Sequence, residues 1–235
     1  MADDRRGRLS LIADAAPPLD SVKTISSPAK VADRAAAALR SGTFHVEQKF
    51  ITGCAFNAAR EAAVALAHSH GRAAGVGEGE VDTSVWKSDA LNLLQPNLEL
   101  PVALAPLLRA IEELRIELAR ATGRALVGDV ELNLLCYHKG GHYVRHFDHV
   151  ADADDAALVR RSISMLIYLT PSGWKEIDGG CLRIYPPAAR PYADVPPTGG
   201  SCVLFDSALV PHEAMPTSRE RLVIAGWLHE ARGER

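Results

Sequence analysis

Hydrophobic positions change their period about halfway along this 235-residue chain. Within residues 101–121, Leu104, Leu107, Leu108, Ile111, Leu114 and Leu118 recur at three and four residues, with Arg and Glu between them. That spacing predicts an amphipathic helix lying on a sheet face. Ser27 before Pro28 predicts a helix start and Gly42 its stop, and the Ala-rich stretch 57–70 predicts a second helix ended by Gly71. Residues 1–27 are polar and broken by Pro17 and Pro18, and are expected to form a flexible or loosely docked arm. Residues 43–50 alternate as a strand does. The segment 72–80 holds three glycines and one sizeable apolar residue, Val76, before a short strand near 83–86. A loop of this length inside a domain is often functional, so Gly75 to Asp89 is read as a candidate lid.

Beyond Gly123 the pattern shortens to β-like runs at 130–137, 143–148, 162–169, 181–185, 201–205, 212–215 and 221–228. Asp178-Gly179-Gly180 and Thr198-Gly199-Gly200 supply residues suited to tight turns. Seven short strands in about a hundred residues predict a sandwich or barrel such as a jelly roll. The expected fold class is mainly β with flanking helices. After the arm at 1–27, residues 28–235 are expected to form one domain, with helical support and lid at 28–125 and a β core at 126–230.

Period two assigns faces to these runs. In 221–228, Arg221, Val223, Ala225 and Trp227 share one side, and Leu222, Ile224 and Leu228 the other. In 162–169, Ser162, Ser164, Leu166 and Tyr168 oppose Ile163, Met165, Ile167 and Leu169. An arginine on an otherwise apolar strand face calls for an anion, since an unpaired buried charge is costly. A co-substrate carboxylate fits, because guanidinium binds carboxylates through two parallel hydrogen bonds. Tyr168 is placed to assist. His146 and Asp148, two apart on an extended run, project to one side and make two-thirds of a 2-His-1-carboxylate face for ferrous iron. His212, after Pro211, is the candidate third ligand. His149 points away from Asp148 on a continuing strand. His68, His70 and His229 are expected to be solvated.

Composition narrows the classes. Hydrophobic residues make up 47% and charged residues 23%, and the net charge of −3 excludes a broad basic field for nucleic acid. Cys54, Cys136, Cys181 and Cys202 form no CxxC pair and are read as free, buried thiols. The first 16 residues are too charged for a secretory signal, and no run is long enough to span a bilayer. A cytoplasmic setting (nuclear in a eukaryote), no nucleic-acid or membrane partner, and a monomer are expected.

Several of these residues fall into linked motifs. Cys136-Tyr137 with a glycine-containing loop, Tyr143-Val144-Arg145-His146-Phe147-Asp148, Leu166-Ile167-Tyr168-Leu169 and Gly179-Gly180-Cys181-Leu182-Arg183-Ile184-Tyr185-Pro186 come first. Pro211-His212-Glu213 and Arg221-Leu222-Val223-Ile224-Ala225-Gly226-Trp227 follow in order. Together they resemble the iron(II)- and 2-oxoglutarate-dependent oxygenases of the prolyl 4-hydroxylase type, in particular the hypoxia-inducible-factor prolyl hydroxylases and their bacterial and protist relatives. The resemblance implies a double-stranded β-helix, iron(II) held by His146, Asp148 and His212, and 2-oxoglutarate bound by Arg221 with Tyr168 and Tyr137. It implies O2 as co-substrate, ascorbate as a further candidate cofactor, and a protein substrate with a target proline. Asp89 and Arg161 are read as an ion pair ordering the lid, Trp227 as pocket wall, and Arg145 as rim. Two departures stand out: His138 and Lys139 at the tip of a loop one residue shorter than in the animal relatives, and Ala225 where those carry threonine. The alternatives are a hydroxylase of a free amino acid or small metabolite, and a non-catalytic cupin-like metal-binding module.

Overall fold

The computed structural model describes residues 7–15, 24–75, 80–149, 159–185 and 192–231. Four α-helices precede or flank the sheets: α1 (Arg8–Ala15), α2 (Pro28–Arg40), α3 (Gly53–His70) and α4 (Ala105–Thr122). The strands are β1 (Phe44–Glu47), β2 (Arg72–Ala73), β3 (Trp86–Lys87), β4 (Asp89–Asn92), β5 (Leu126–Tyr137) and β6 (His142–His146). They continue with β7 (Val159–Tyr168), β8 (Leu182–Ile184), β9 (Ala193–Val195), β10 (Cys202–Asp206), β11 (His212–Ala214) and β12 (Arg221–Ala231). A major sheet runs β1-β10-β7-β12-β5-β4-β2 and a minor sheet β3-β6-β11-β8-β9, with every pairing antiparallel.

Two apolar clusters divide the interior, and the alternation along the central strands decides which residue joins which. Leu222, Ile224 and Leu228 of β12 and Ile163, Met165 and Ile167 of β7 pack with the helices. Val223 and Ala225, with Leu166 and Tyr168, face the minor sheet instead. The two faces predicted from period two are the two faces found. Helix α4 buries Leu107, Leu108, Ile111, Leu114 and Leu118 against the first cluster. It ends at Gly123, whose φ of 74° supplies the left-handed cap that a side chain would strain.

Several expectations need correction. Arg8–Ala15, within the expected arm, is a helix: Leu9 is fully buried, Ser10 Oγ donates to Glu112 Oε1 at 2.7 Å, and Arg8 donates to the carbonyls of Leu94 and Leu98. Residues 1–6 and 16–23 of that arm, and 76–79 of the expected lid, lie outside the described residues. The flanks of that lid are tied down, since β3 pairs with β6 in the minor sheet and β4 with β5 in the major one. Strand β9 was not anticipated, because three residues beside two prolines carry almost no periodic signal. Cys54 is exposed rather than buried, and all four cysteines are free. His229 is buried and bonds Glu131 at 2.9 Å, where a solvated position near the C-terminus was expected. Among the described residues, no helix is long and apolar enough to cross a membrane.

Candidate active site

The minor sheet places two histidines side by side: His146 on β6 is the cross-strand partner of His212 on β11. Their ring centroids are 4.4 Å apart. Asp148 lies just past the end of β6 rather than on it, yet converges on both: Oδ1 is 3.4 Å from His146 Nε2 and Oδ2 is 3.5 Å from His212 Nε2. Each imidazole has its Nδ1 on a main-chain carbonyl, that of Val144 at 2.8 Å and that of Val210 at 3.1 Å. This fixes the tautomer and turns both Nε2 atoms inward, the arrangement a metal needs from its histidines. Ser164 Oγ donates to Asp148 Oδ2 at 2.6 Å and is itself bonded to Ser207 Oγ. Burial alone would raise the Asp148 carboxyl; the imidazoles of His212 and His146 and the Ser164 hydroxyl outweigh it and hold it well below the usual range. Burial pushes the His212 imidazole below its ordinary value, against the pull of Asp148, which favours the neutral ring that a ligand must be. Two imidazoles and one carboxylate with ligand atoms this close form a facial set for a divalent ion.

Strict alternation would send Tyr143 and His146 to opposite sides. The pairing shows otherwise: Ala214 is opposite Tyr143 and His212 opposite His146, so β6 holds one extra residue there. This bulge re-aims the strand. Tyr143 therefore stacks on His146, with centroids 3.6 Å apart, and on Trp86 at 4.7 Å.

Deeper between the sheets, Arg221 is fully buried and is cross-strand from Tyr137. Its guanidinium lies 4.3 Å from the Tyr137 ring centre and 5.6 Å from that of Tyr168. Nη1 donates to the Gly180 carbonyl at 2.8 Å, while Nε, Nη2 and the Tyr168 hydroxyl have no partner among the described residues. The two carboxylates within reach by sequence are engaged elsewhere: Asp206 accepts from Arg124 at 2.7 Å and Glu213 from Tyr185 at 2.5 Å. Burial pushes the Tyr168 phenol up to about 12, against the pull of Arg221, so it stays a donor. Three buried donors converge with nothing to receive them, a costly state unless an anion completes it. The triad and Arg221 line one pocket together with Tyr137, Tyr143, Trp86 and Trp227, and the Tyr168 ring lies behind the guanidinium.

The remaining expected site residues divide. Trp227 is pocket wall, with Arg161 over its ring at 4.1 Å. Arg161 makes a two-pronged ion pair with Glu131 and donates to the Asp148 carbonyl at 3.2 Å. The expected Asp89–Arg161 pair is therefore absent: Asp89 is bonded to His138 Nε2 at 3.0 Å. Strand pairing explains this, because β4 sits beyond β5 and away from β7. Arg145 stacks on Tyr185 at 4.0 Å and does not line the pocket. Trp86, Ser164 as a support for Asp148, and the Gly180 carbonyl were missed. Only the glycine pair hinted at the last of these, since Gly180 at φ 71° approaches the Arg221 stem closely.

Residues 132–229 match the family described as the 2OG-Fe(II) oxygenase superfamily. By that match the stretch is similar to 2-oxoglutarate- and iron(II)-dependent oxygenase domains. The relatives it is similar to are prolyl hydroxylases. Over 90 residues it is 34% identical to a hypoxia-inducible factor prolyl hydroxylase of Caenorhabditis elegans, a match covering 37% of this chain and 12% of that one. Human Egl nine homolog 1 is 30% identical over 106 residues, covering 44% of this chain and 24% of the relative. The chain thus spans well under a third of these curated relatives. A Pseudomonas putida prolyl-4-hydroxylase structure is similar over 88% of this chain and all of its own, with TM-score 0.72 and 29% identity. A Trichoplax adhaerens prolyl hydroxylase, solved with a hypoxia-inducible factor peptide fragment, shares the fold at TM-score 0.77, 18% identity and coverage of 92% and 96%.

Proposed function

We propose that this chain hydroxylates a prolyl residue of a protein substrate, using Fe(II), 2-oxoglutarate and O2. The observation that carries the reading is Arg221, whose Nε and Nη2 have no partner among the described residues, in the same pocket as the His146, Asp148 and His212 triad, with the unpartnered Tyr168 hydroxyl on the ring beside it. A dicarboxylate with one end at the metal and the other at Arg221 would satisfy both. When bound, the iron and the 2-oxo acid supply the oxidising chemistry.

The chain's own residues bind, orient and shield. His146, Asp148 and His212 would hold the ion, which would supply the open positions that exchangeable ligands need. Arg221 would grip the distal carboxylate with Nε and Nη2, and Tyr168 would donate from the side. Tyr137 stacks under the guanidinium and limits its swing. Trp86, Tyr143 and Trp227 make an apolar, aromatic mouth that keeps water from the reacting carbon. No side chain has to act as a general base. A protein substrate is supported by the likeness to a hypoxia-inducible factor prolyl hydroxylase and to a prolyl hydroxylase solved with a peptide fragment of that factor.

The test uses purified chain with Fe(II), 2-oxoglutarate and air. Wild type forms succinate, and His146→Ala and Asp148→Ala do not. Full turnover in either variant refutes the assignment. Incubation with a lysate, followed by peptide mass mapping for prolines that have gained one oxygen atom, identifies the substrate; oxygen gain confined to free metabolites would reassign it to the small-molecule class.

A further inference from the structure

Behind the pocket, on the opposite face of the major sheet, a second cluster has no part in the chemistry above. Cys136 and His138 flank Tyr137 at the end of β5, so when Tyr137 points inward they point outward. Glu220 precedes Arg221 in the same way on the paired strand. The Cys136 sulfur, a His138 nitrogen and a Glu220 oxygen all lie within 4.8 Å of one another. Specifically, His138 Nδ1 is 4.0 Å from Cys136 Sγ and 3.6 Å from Glu220 Oε2. A tetrahedral zinc ion with bonds of about 2.0–2.3 Å sets such ligands roughly 3.5 Å apart, so the two histidine separations would close by about half an ångström or less, and the sulfur–carboxylate one by at most about 1.3 Å.

The imidazole is also oriented for the task. Nδ1 faces the sulfur and the Glu220 carboxylate, while Nε2 is bonded to Asp89 Oδ2 at 3.0 Å. A ligating histidine whose other nitrogen donates to a carboxylate is the recurrent outer-shell arrangement of zinc sites. Asp89 is held there because β4 pairs with β5, placing it cross-strand from Cys136. A fourth donor stands at the edge: His68 Nε2, from the last turn of α3, is 3.1 Å from Glu220 Oε2. Cys136 itself is only 2% exposed, a sulfur at the floor of a group whose other members reach solvent.

We propose that Cys136, His138 and Glu220 form a second metal site, for zinc or another borderline-soft divalent ion, with Asp89 as outer-shell support and His68 as the nearest further ligand. The donor set distinguishes it from the first. The triad offers nitrogen and oxygen only, which suits ferrous iron; the second offers a thiolate, which selects softer ions. Binding displaces the thiol proton to solvent. The ion joins α3, β4, β5 and β12 at one point, directly behind Tyr137 and Arg221, and so clamps the strand ends from which the co-substrate is held.

The chemistry of the sulfur supplies the test. The 235-residue chain is titrated with Co²⁺ under reducing, anaerobic conditions and followed for the near-ultraviolet thiolate-to-cobalt band. The band is expected in wild type and in Asp148→Ala, which removes a triad ligand, and is lost in Cys136→Ser and His138→Gln. His138 is surface-exposed, so His138→Gln remains informative if Cys136→Ser does not fold. Competition with a chromophoric chelator is expected to count two zinc ions in wild type and one in His138→Gln. No band in wild type, a band that survives either substitution, a band lost with Asp148→Ala, or an equal zinc count in wild type and His138→Gln would each overturn the site.

Discussion

Replacing Arg221 by methionine keeps the length of a buried side chain and removes its charge. In the absence of ligand, two effects oppose each other. The variant loses one charged hydrogen bond to Gly180, about 1.5–3 kcal/mol, and a cation–π contact with Tyr137 of up to about 2 kcal/mol. It also removes two buried donors without partners, each costing about 1–3 kcal/mol. The sums cancel to within about 2 kcal/mol, so the ligand-free variant is expected to melt close to wild type. With 2-oxoglutarate the balance tips. Two charge-assisted bonds to the distal carboxylate are worth about 3–6 kcal/mol, and at about 1.4 kcal/mol per decade they set a 10²–10⁴-fold loss of affinity. Wild type at a hundredfold excess over Kd gains about 2.7 kcal/mol, which at this chain length raises Tm by roughly 5–10 °C. Arg221→Met should show no such rise. Anaerobic calorimetry with a redox-inert divalent ion in the triad, alongside thermal melts with and without 2-oxoglutarate, gives both numbers. Wild-type affinity in the variant refutes the role assigned to Arg221. Collapse of the ligand-free fold would show instead that the arginine serves the core.

Two further outcomes follow from single contacts. Ser164→Ala leaves the fold intact but frees one oxygen of Asp148, so triad metal affinity is expected to fall roughly 10–100-fold in chelator competition; unchanged affinity would remove Ser164 from the site. Burial alone would raise the Glu131 carboxyl, but bonds from His229 and Arg161 hold it at about 2, below its ordinary 4.5. A lowered carboxyl stabilises the fold above the unfolded value and loses that contribution as pH falls through the folded one. Acid titration of stability for Glu131→Gln against wild type should therefore show a difference near neutrality that narrows between about pH 4.5 and 2; a constant gap across that window would refute the coupling.

What could be read from the chain beforehand was set by how strictly the backbone constrains it. Strands β7 and β12 lie in the middle of the major sheet with apolar material on both sides, so period two had to hold, and it placed Arg221 and Tyr168 on one face. The triad was legible for the same reason at His212 and by convergence at Asp148. Where pairing is irregular, alternation misleads. The extra residue in β6 turns Tyr143 inward beside His146, and no local pattern announces it. Ion pairs chosen by charge alone fared worst: Asp89 and Arg161 each have a nearer partner, fixed by which strand lies beside which. Helix α1 escaped notice because eight residues with two buried side chains barely register as amphipathic, though Leu9 and Ser10 tie it firmly to its neighbours.

The position of Arg221 at the head of β12 also bears on how the sheet assembles. That strand pairs over most of its length with both β5 and β7, the longest alignments among the described residues. A slip of one residue against either neighbour would exchange its two faces. The guanidinium would then be driven among Leu222's present neighbours on the helical side, where a charge has no partner, while leucines would line the pocket. The misaligned sheet thereby loses the Gly180 hydrogen bond and the Tyr137 ring contact before any ligand is present. One charged side chain thus rejects the wrong register during folding, and a mutant that no longer binds 2-oxoglutarate would also lose a guard against misassembly.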